Sequence, residues 1–260
     1  MSFDSSVTPE VLVEQVGNIL EITINRPEQR NAMTAAVSAL IADAMDELDG
    51  NSSLAVGILT GAGGNFCAGM DLKRFLLGER AHVPGRGFGG LTESPPAKPL
   101  IAAVEGYALA GGFELVLACD LVVASEVSKF GLPEVKRGLV ARAGGLLRLP
   151  QALPRAVALE MILTGDPISA VRAEALGLVN KVVPEFSALN EARRLGTVIA
   201  GNAPLAVRIS KQVVLDSRNW PGDELFSRQA NVTDCVFASE DAVEGARAFA
   251  EKRSPAWSGR

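Results

Sequence analysis

Residues 107–120 read YALAGGFELVLACD. Just upstream, Pro99 to Val104 is an apolar, strand-like run. Downstream of the adjacent glycines Gly111 and Gly112 comes an apolar, helix-like run with one carboxylate, Glu114. Glycine lets a backbone turn sharply and lets another molecule approach closely. A turn that opens a helix points free N–H groups outward, at the positive end of the helix dipole. The stretch therefore offers a backbone donor and, three residues after Gly111, a carboxylate. That pairing points to catalysis on a carbonyl compound.

The same layout precedes it. Leu54 to Leu59 reads as a buried strand and runs into TGAGGNFCAGMDLKRFL (60–76), a glycine-rich turn and then a short helix. Earlier still, Val11 to Val16 and Ile19 to Ile24 predict a hairpin about Gly17-Asn18. Leu20, Ile22 and Ile24 alternate with Glu21, Thr23 and Asn25, the period of a half-buried strand. Val37, Leu40, Ile41, Ala44, Met45 and Leu48 hold helical spacing from about Thr34, and Gly50 fits the stop. Residues 78–96 form a Gly/Pro-rich loop of the length expected for a lid, a binding loop or disorder. Beyond it, Leu121 to Ala124 predicts a strand and KFGLPEVKRGLV (129–140) a turn-rich segment. Ala143 to Leu149, Pro154 to Leu163 and Ser169 to Leu176 predict helices, and Val179 to Val183 a strand. After Ser187 the pattern is all helical: 188–200, 204–216, 223–237 and 240–252. The composition thus predicts an α/β core over 1–190 and a helical region over 191–260.

At 260 residues, 48% hydrophobic and 21% charged, the chain is globular. A net charge of −5 gives no electrostatic case for nucleic acid or an anionic membrane. Cys67, Cys119 and Cys235 are far apart and odd in number, unlike a disulfide framework or zinc knuckle. Cys67 and Cys119 read as packing residues. His82 is the only histidine and reads as a surface residue, so a histidine-based metal cluster or Ser-His-Asp triad is not expected. The first residues, MSFDSSVTPE, have neither the basic nor the apolar part of a signal peptide. The longest apolar tract, Leu100 to Ala124, is broken by Glu105, Glu114 and Asp120 and reads as buried core, not a membrane span. A cytoplasmic location is expected.

FCAGMDLK (66–73), GYALAGGFELVLACD (106–120), FGLPEVKRGL (130–139), LTGDPISAVRAEALGLVNKVV (163–183) and AFAEKR (248–253) together resemble the crotonase, or enoyl-CoA hydratase/isomerase, superfamily. The likeness covers nearly the whole chain in order. It implies a spiral of ββα units, a helical C-terminal oligomerisation region, a homotrimer or dimer of trimers, and an acyl-CoA thioester substrate. Coenzyme A is then part of the substrate, and no metal or redox cofactor is implied. By motif, the oxyanion-hole N–H groups fall on Met70 and Gly111, and the catalytic glutamates on Glu114 and Glu134. Coenzyme A contacts fall on Ala68 and Lys73, with Phe249 and Lys252 approaching from a neighbouring subunit.

The residue types suit that chemistry. Main-chain donors aimed at a developing enolate oxygen can each contribute roughly 3 kcal/mol. Adding water across a polarised double bond needs a base for the water and an acid for the α-carbon. Two close, partly desolvated carboxylates can share that work, one staying protonated near neutral pH. Family isomerases commonly keep only one of the pair, so the resemblance implies an enoyl-CoA hydratase. Carnitinyl-CoA dehydratase, enoyl-CoA isomerase and a non-catalytic acyl-CoA-binding homologue are the alternatives. GRGFGGLTE (85–93), LLRLP (146–150) and EDAVEGARAFAEKR (240–253) resemble the carnitinyl-CoA dehydratase branch. Two departures stand out. Ala110 replaces a glycine common in relatives, a mild change on paper. Ala141-Arg142-Ala143 replaces a Pro/Gly-type turn beside the acyl pocket.

Overall fold

The computed structural model describes residues 9–260, so the opening segment MSFDSSVT, read as lacking a leader, lies outside the described residues. The first half holds β1 (Val11–Val16), β2 (Ile19–Ile24), α1 (Ala35–Gly50), β3 (Val56–Gly61) and α2 (Leu72–Leu76). Then come β4 (His82–Val83), β5 (Gly87–Phe88), β6 (Leu100–Val104), β7 (Tyr107–Leu109), α3 (Gly111–Ala118), β8 (Leu121–Ser125) and β9 (Lys129–Gly131). A 3-10 turn at Pro133–Arg137 leads to α4 (Gly145–Ala152), α5 (Arg155–Thr164), β10 (Ile168–Ser169), α6 (Ala170–Ala175) and β11 (Lys181–Val183). Four helices finish the chain: α7 (Ala188–Ala200), α8 (Pro204–Asp216), α9 (Leu225–Phe237) and α10 (Glu240–Glu251).

The main sheet has the order β1-β2-β3-β6-β8-β11. The expected β1–β2 hairpin is antiparallel, and every later pairing in this sheet is parallel. Parallel strands are buried on both faces, which is why 56–59 and 100–104 read as unbroken apolar runs. On one face Leu59, Leu100, Ala102 and Val104 pack with Val37, Ile41, Met45 and Leu48 of α1 and with Phe113 and Leu115 of α3. On the other, Ile19, Val56, Ile58, Ile101 and Ala103 pack with Ala188 and Ala192 of α7. Small residues let α7 lie close: a Cβ on Gly196 would come within 3.0 Å of Ile19 Cδ1.

That second layer corrects the reading of β2 as half-buried. Glu21 is buried, because α7 covers it and Arg193 grips it through Nε and Nη2 at 2.6 and 2.7 Å. An alternating pattern reports a polar side chain, not whether another element later lies over it.

Three times a strand of the main sheet is followed by a short crossing segment and then a helical turn. β6 leads to β7 and α3, and β8 leads to β9 and the 3-10 turn. β3 leads to a segment bridged at Cys67–Ala108 and Met33–Met70, then to α2. This is the expected spiral of ββα units. The crossing strands β7, β9 and β10 form a second sheet in the order β10-β9-β7. At two or three residues each, they are too short to show a period.

Residues 78–96 are docked, not loose. β4 and β5 pair, Ala81, Leu91 and Thr92 are buried, and Gly90 rests on the α1 backbone so closely that no side chain fits. Element boundaries shift slightly elsewhere. α4 starts at Gly145, not Ala143, because Gly144 is left-handed at φ 106°. β11 starts at Lys181 and α9 at Leu225. The apolar tract 100–124 becomes four elements, and no helix among the described residues is long and apolar enough to cross a membrane.

Glu105 joins the end of β6 to the start of α7: its Oε2 accepts from Phe186 N at 3.1 Å and its Oε1 from Ala188 N at 3.0 Å. Glu105→Ala leaves those amides unpaired in a buried place and is expected to cost about 1–3 kcal/mol. The check is the urea midpoint at unchanged m-value, with Glu105→Gln, which keeps one acceptor, losing less.

Candidate active site

The first turn is built by a strand-like segment laid against another. Met33 N donates to Gly69 O at 2.8 Å, Asp71 N donates to Met33 O at 3.0 Å, and Ala68 N donates to Arg30 O at 3.0 Å. This parallel ladder turns the amide of Met70 away from Met33, and it makes no hydrogen bond among the described residues. Side chains brace the ladder from behind. Buried Asn31 donates to the carbonyls of Ala62 and Asn65, and Arg26 bridges Asp71, Glu10 and the carbonyl of Ala32. Asp71 also caps α2 through Lys73 N and Arg74 N.

The second turn lies against the first. A Cβ on Gly69 would sit 3.2 Å from Gly111 N and 2.9 Å from the Ala110 methyl. Ala110 caps α3 at φ 51°, ψ −128°, a conformation that suits glycine and strains alanine. The change from glycine is thus not mild: such a backbone costs on the order of 1–3 kcal/mol. Three hydrogen bonds hold it. Ala110 N donates to Gly131 O, and Ala110 O accepts from Phe113 N and Glu114 N, all at 2.9–3.0 Å. Gly111 N is left free among the described residues, at the start of the helix. The Phe88 ring closes over Gly111 so tightly that a side chain there would run into it.

Glu114, one turn into α3, is only 3% exposed. Its Oε1 accepts from Ala143 N at 2.7 Å and Gly145 N at 2.8 Å. The left-handed Gly144 lets both amides aim at one oxygen. Burial pushes the carboxyl above its ordinary value, opposed by those two amides and by the charge of Arg148. Glu134 comes from the 3-10 turn, which Leu132 precedes. A Cβ on Gly145 would lie 3.0 Å from Glu114 Oε1 and 3.1 Å from Leu132 Cδ1, so the two glutamate-bearing segments meet there. Burial pushes Glu134 up to about 7. Its own backbone amide and Arg137 oppose the rise, and the charge of Glu114 adds to it. Its Oε2 is buried with no partner among the described residues. Glu114 is thus held by two donors on one oxygen while Glu134 keeps one buried oxygen unpaired, the arrangement that separates a base from an acid.

The structure brings Ala68, Met70 and Gly111 to one place, with exposed Lys73 one helical turn beyond Met70. Phe249, 88% exposed on α10, and Lys252, the left-handed residue that caps its end, are elsewhere, and α10 packs on α9. His82 is exposed in the β4–β5 hairpin, opposite Phe88. Cys67 is buried beside the first turn and its thiol is pushed up to about 12, while burial also raises Cys119; both are packing thiols. Of the aromatics near the motif, Phe113 is fully buried against Phe130, at 5.5 Å between centroids, and cannot wall a substrate. Sequence reasoning missed Phe88, the amides of Ala143 and Gly145, and Arg148. The one signal for the amides was the Gly144-Gly145 pair.

The family model described as "Enoyl-CoA hydratase/isomerase" matches residues 14–260. An enoyl-CoA hydratase of Mycobacterium tuberculosis is 40% identical, over 97% of this chain and 97% of the relative. A carnitinyl-CoA dehydratase of Salmonella paratyphi A is 44% identical, over 94% and 96%. Among solved structures, an enoyl-CoA hydratase from Mycobacterium marinum superposes with a TM-score of 0.96 at 59% identity, covering 97% of this chain and all of that one. A carnitinyl-CoA hydratase from Mycobacterium avium gives 0.79 at 46% identity, over 98% and all of its chain. With a model matched over nearly its full length and relatives of this identity, the chain belongs to the enoyl-CoA hydratase/isomerase family.

Proposed function

We propose that this protein is an enoyl-CoA hydratase, adding water reversibly to a 2-enoyl-CoA thioester to give a 3-hydroxyacyl-CoA. The observation that carries the reading is two glutamates of unlike environment beside two unpaired main-chain amides. The thioester oxygen accepts from Met70 N–H and Gly111 N–H, which draws electrons from the double bond. Glu114, as carboxylate, takes a proton from water while the hydroxyl adds to the β-carbon. Glu134, as acid, gives its proton to the α-carbon. The atoms of one water are thereby added, and one proton has moved from Glu134 to Glu114 across the pair. Water adds with no net change of oxidation state, so the reaction calls on no redox cofactor, and coenzyme A arrives as the substrate's carrier.

In the same reading, Ala68 and Lys73 receive the coenzyme A portion, with Phe249 and Lys252 approaching from a neighbouring copy. Residues 1–190 form the catalytic core and 191–260 the oligomerisation region of a homotrimer or dimer of trimers in the cytoplasm. What supports the assembly is α9, which buries no residue and exposes Phe226 (85%) and Phe237 (81%). Such apolar exposure suits a surface that another chain covers. Carnitinyl-CoA dehydration is the second reading, favoured by the Salmonella relative. It is weakened by the burial of Phe113, which removes one aromatic wall for a quaternary ammonium group.

Glu114→Gln and Glu134→Gln are each expected to lower hydration turnover about 10²–10⁴-fold. Affinity for the CoA ester should persist, and the double mutant should be far less impaired than the product of the two effects. Near-normal hydration by Glu134→Gln would remove the two-carboxylate mechanism. A panel of enoyl-CoA thioesters, crotonobetainyl-CoA included, decides between the two readings by product.

Hydration needs Glu114 ionised and Glu134 protonated, so kcat/KM should be bell-shaped and fall above about pH 7. Stability should show the counterpart. Below the ordinary carboxyl value of 4.5 Glu134 is protonated folded or unfolded, and Glu134→Gln is neutral. Above it the unfolded carboxyl ionises freely while the folded one resists until about 7, so the native protein loses stability across that window. The melting temperature of Glu134→Gln should therefore exceed that of the native protein increasingly from pH 5 to about pH 7 and level off above it. A constant difference across that range would contradict the buried-acid assignment.

For the assembly, sedimentation at working concentration is expected to give a trimer or hexamer mass. A monodisperse monomer would overturn it.

A further inference from the structure

Arg148 stands on α4, one turn beyond the amides that hold Glu114. Its guanidinium folds back along the helix and fills the space beside Gly144, between the donors at Ala143 and Gly145. Its Nη2 donates to Thr92 O at 2.6 Å. Thr92 ends the buried segment whose Phe88 covers Gly111. The side chain is half-buried, and no carboxylate forms an ion pair with it among the described residues. Burial works against its charge, and the negative group that chiefly answers it is Glu114. A half-buried cation set behind a buried carboxylate's donors, without touching that carboxylate, acts on it through its field.

We propose that Arg148 is a positioning residue for the acid–base pair: it keeps Glu114 ionised as the base while Glu134 holds the proton. Through Thr92 it also fixes α4 against the Phe88 segment, so that the base and the thioester seat are placed by one strut. The charged groups facing Glu114 are Arg148 from α4 and Glu134 from the 3-10 turn, with Arg137 acting on Glu134 from the same turn. α3 also packs on β7, whose one ionisable side chain is Tyr107, 41% exposed, on β3 and β6, which carry no ionisable side chain, on α1, whose Asp43, Asp46, Glu47 and Asp49 are all exposed, and under the Phe88 segment. Arg148 is thus the positive charge that distinguishes the two carboxylates. Burial raises both carboxyls, and at Glu114 the charge of Arg148 adds to the two amides in opposing that rise.

This inference rests on the hydratase reading, and the experiment separates the two. Hydration kcat/KM is measured from pH 4.5 to 9 for the native protein, Arg148→Gln and Arg148→Lys. Arg148→Gln keeps a donor for Thr92 O and loses the charge; Arg148→Lys keeps the charge and loses the planar fork. The expected result is an acid limb displaced upward by about one pH unit in Arg148→Gln, a tenfold loss on that limb. The alkaline limb should stay in place, and Arg148→Lys should keep the native acid limb. A loss of equal factor at every pH in Arg148→Gln, or an equal displacement in Arg148→Lys, overturns the proposal and leaves Arg148 a strut alone. Arg148→Met is the second charge-free variant should Arg148→Gln not fold. A native protein that hydrates no enoyl-CoA overturns the hydratase reading instead. The Glu114 carboxyl is then titrated by its ¹³C shift in the native protein and Arg148→Gln, with an unshifted midpoint counting against Arg148.

Discussion

Glu114 is a carboxylate set in the hydrophobic core, on a helix whose other residues are almost all apolar and buried. An unpaired charge in such a place is intolerable, so its surroundings must supply partners. Two amides converge on one oxygen because Gly144 takes a left-handed turn that few other residues would accept. The helix start at Gly145, the approach of Leu132 to that glycine and the reach of Arg148 are all fixed around the same spot. The unlike environments of the two glutamates follow from what is left over. Once Glu114 has taken the donors, Glu134 has a buried oxygen with none, and a carboxyl so placed holds its proton.

The two free amides follow from a different constraint, the meeting of two chain turns at van der Waals distance. Met70 and Gly111 present their amides outward because each neighbour's hydrogen bonds are already used, on one side by the Met33 ladder and on the other by the α3 cap. Ala110 shows how firmly this is held. A strained alanine persists only where the surrounding bonds determine its conformation, and here Gly131, Phe113 and Glu114 do so.

Much of this was legible in the residues. The hairpin, α1, the buried strands at 56–61 and 100–104 and the helix at 111–118 carry periods or runs that only one structure fits. The Gly111-Gly112 turn with Glu114 already suggested a donor beside a carboxylate. What was hidden has physical reasons. The crossing strands are shorter than any period. The burial of Glu21 depends on Arg193, 172 residues away in sequence. The 78–96 segment has a loop's composition, but Gly90 against α1 and the buried Leu91 anchor it. The assignment of Met70 and Glu134 came from motif resemblance, since an amide direction and an unpaired oxygen leave no trace in composition. Phe88 and Arg148 reach the site through tertiary contacts alone.

Because the donors of the proposed thioester seat are main-chain amides, no codon change can delete either one short of introducing proline. Heredity can act on it only by crowding. Met70 can give way to another apolar residue that keeps its packing on the core, since its contribution is an N–H that every residue but proline carries. Gly111 has no such freedom, because the Phe88 ring occupies the space where any side chain would begin. A side chain at position 111 would need the ring to swing aside or a smaller residue at position 88, a dependence imposed by one contact.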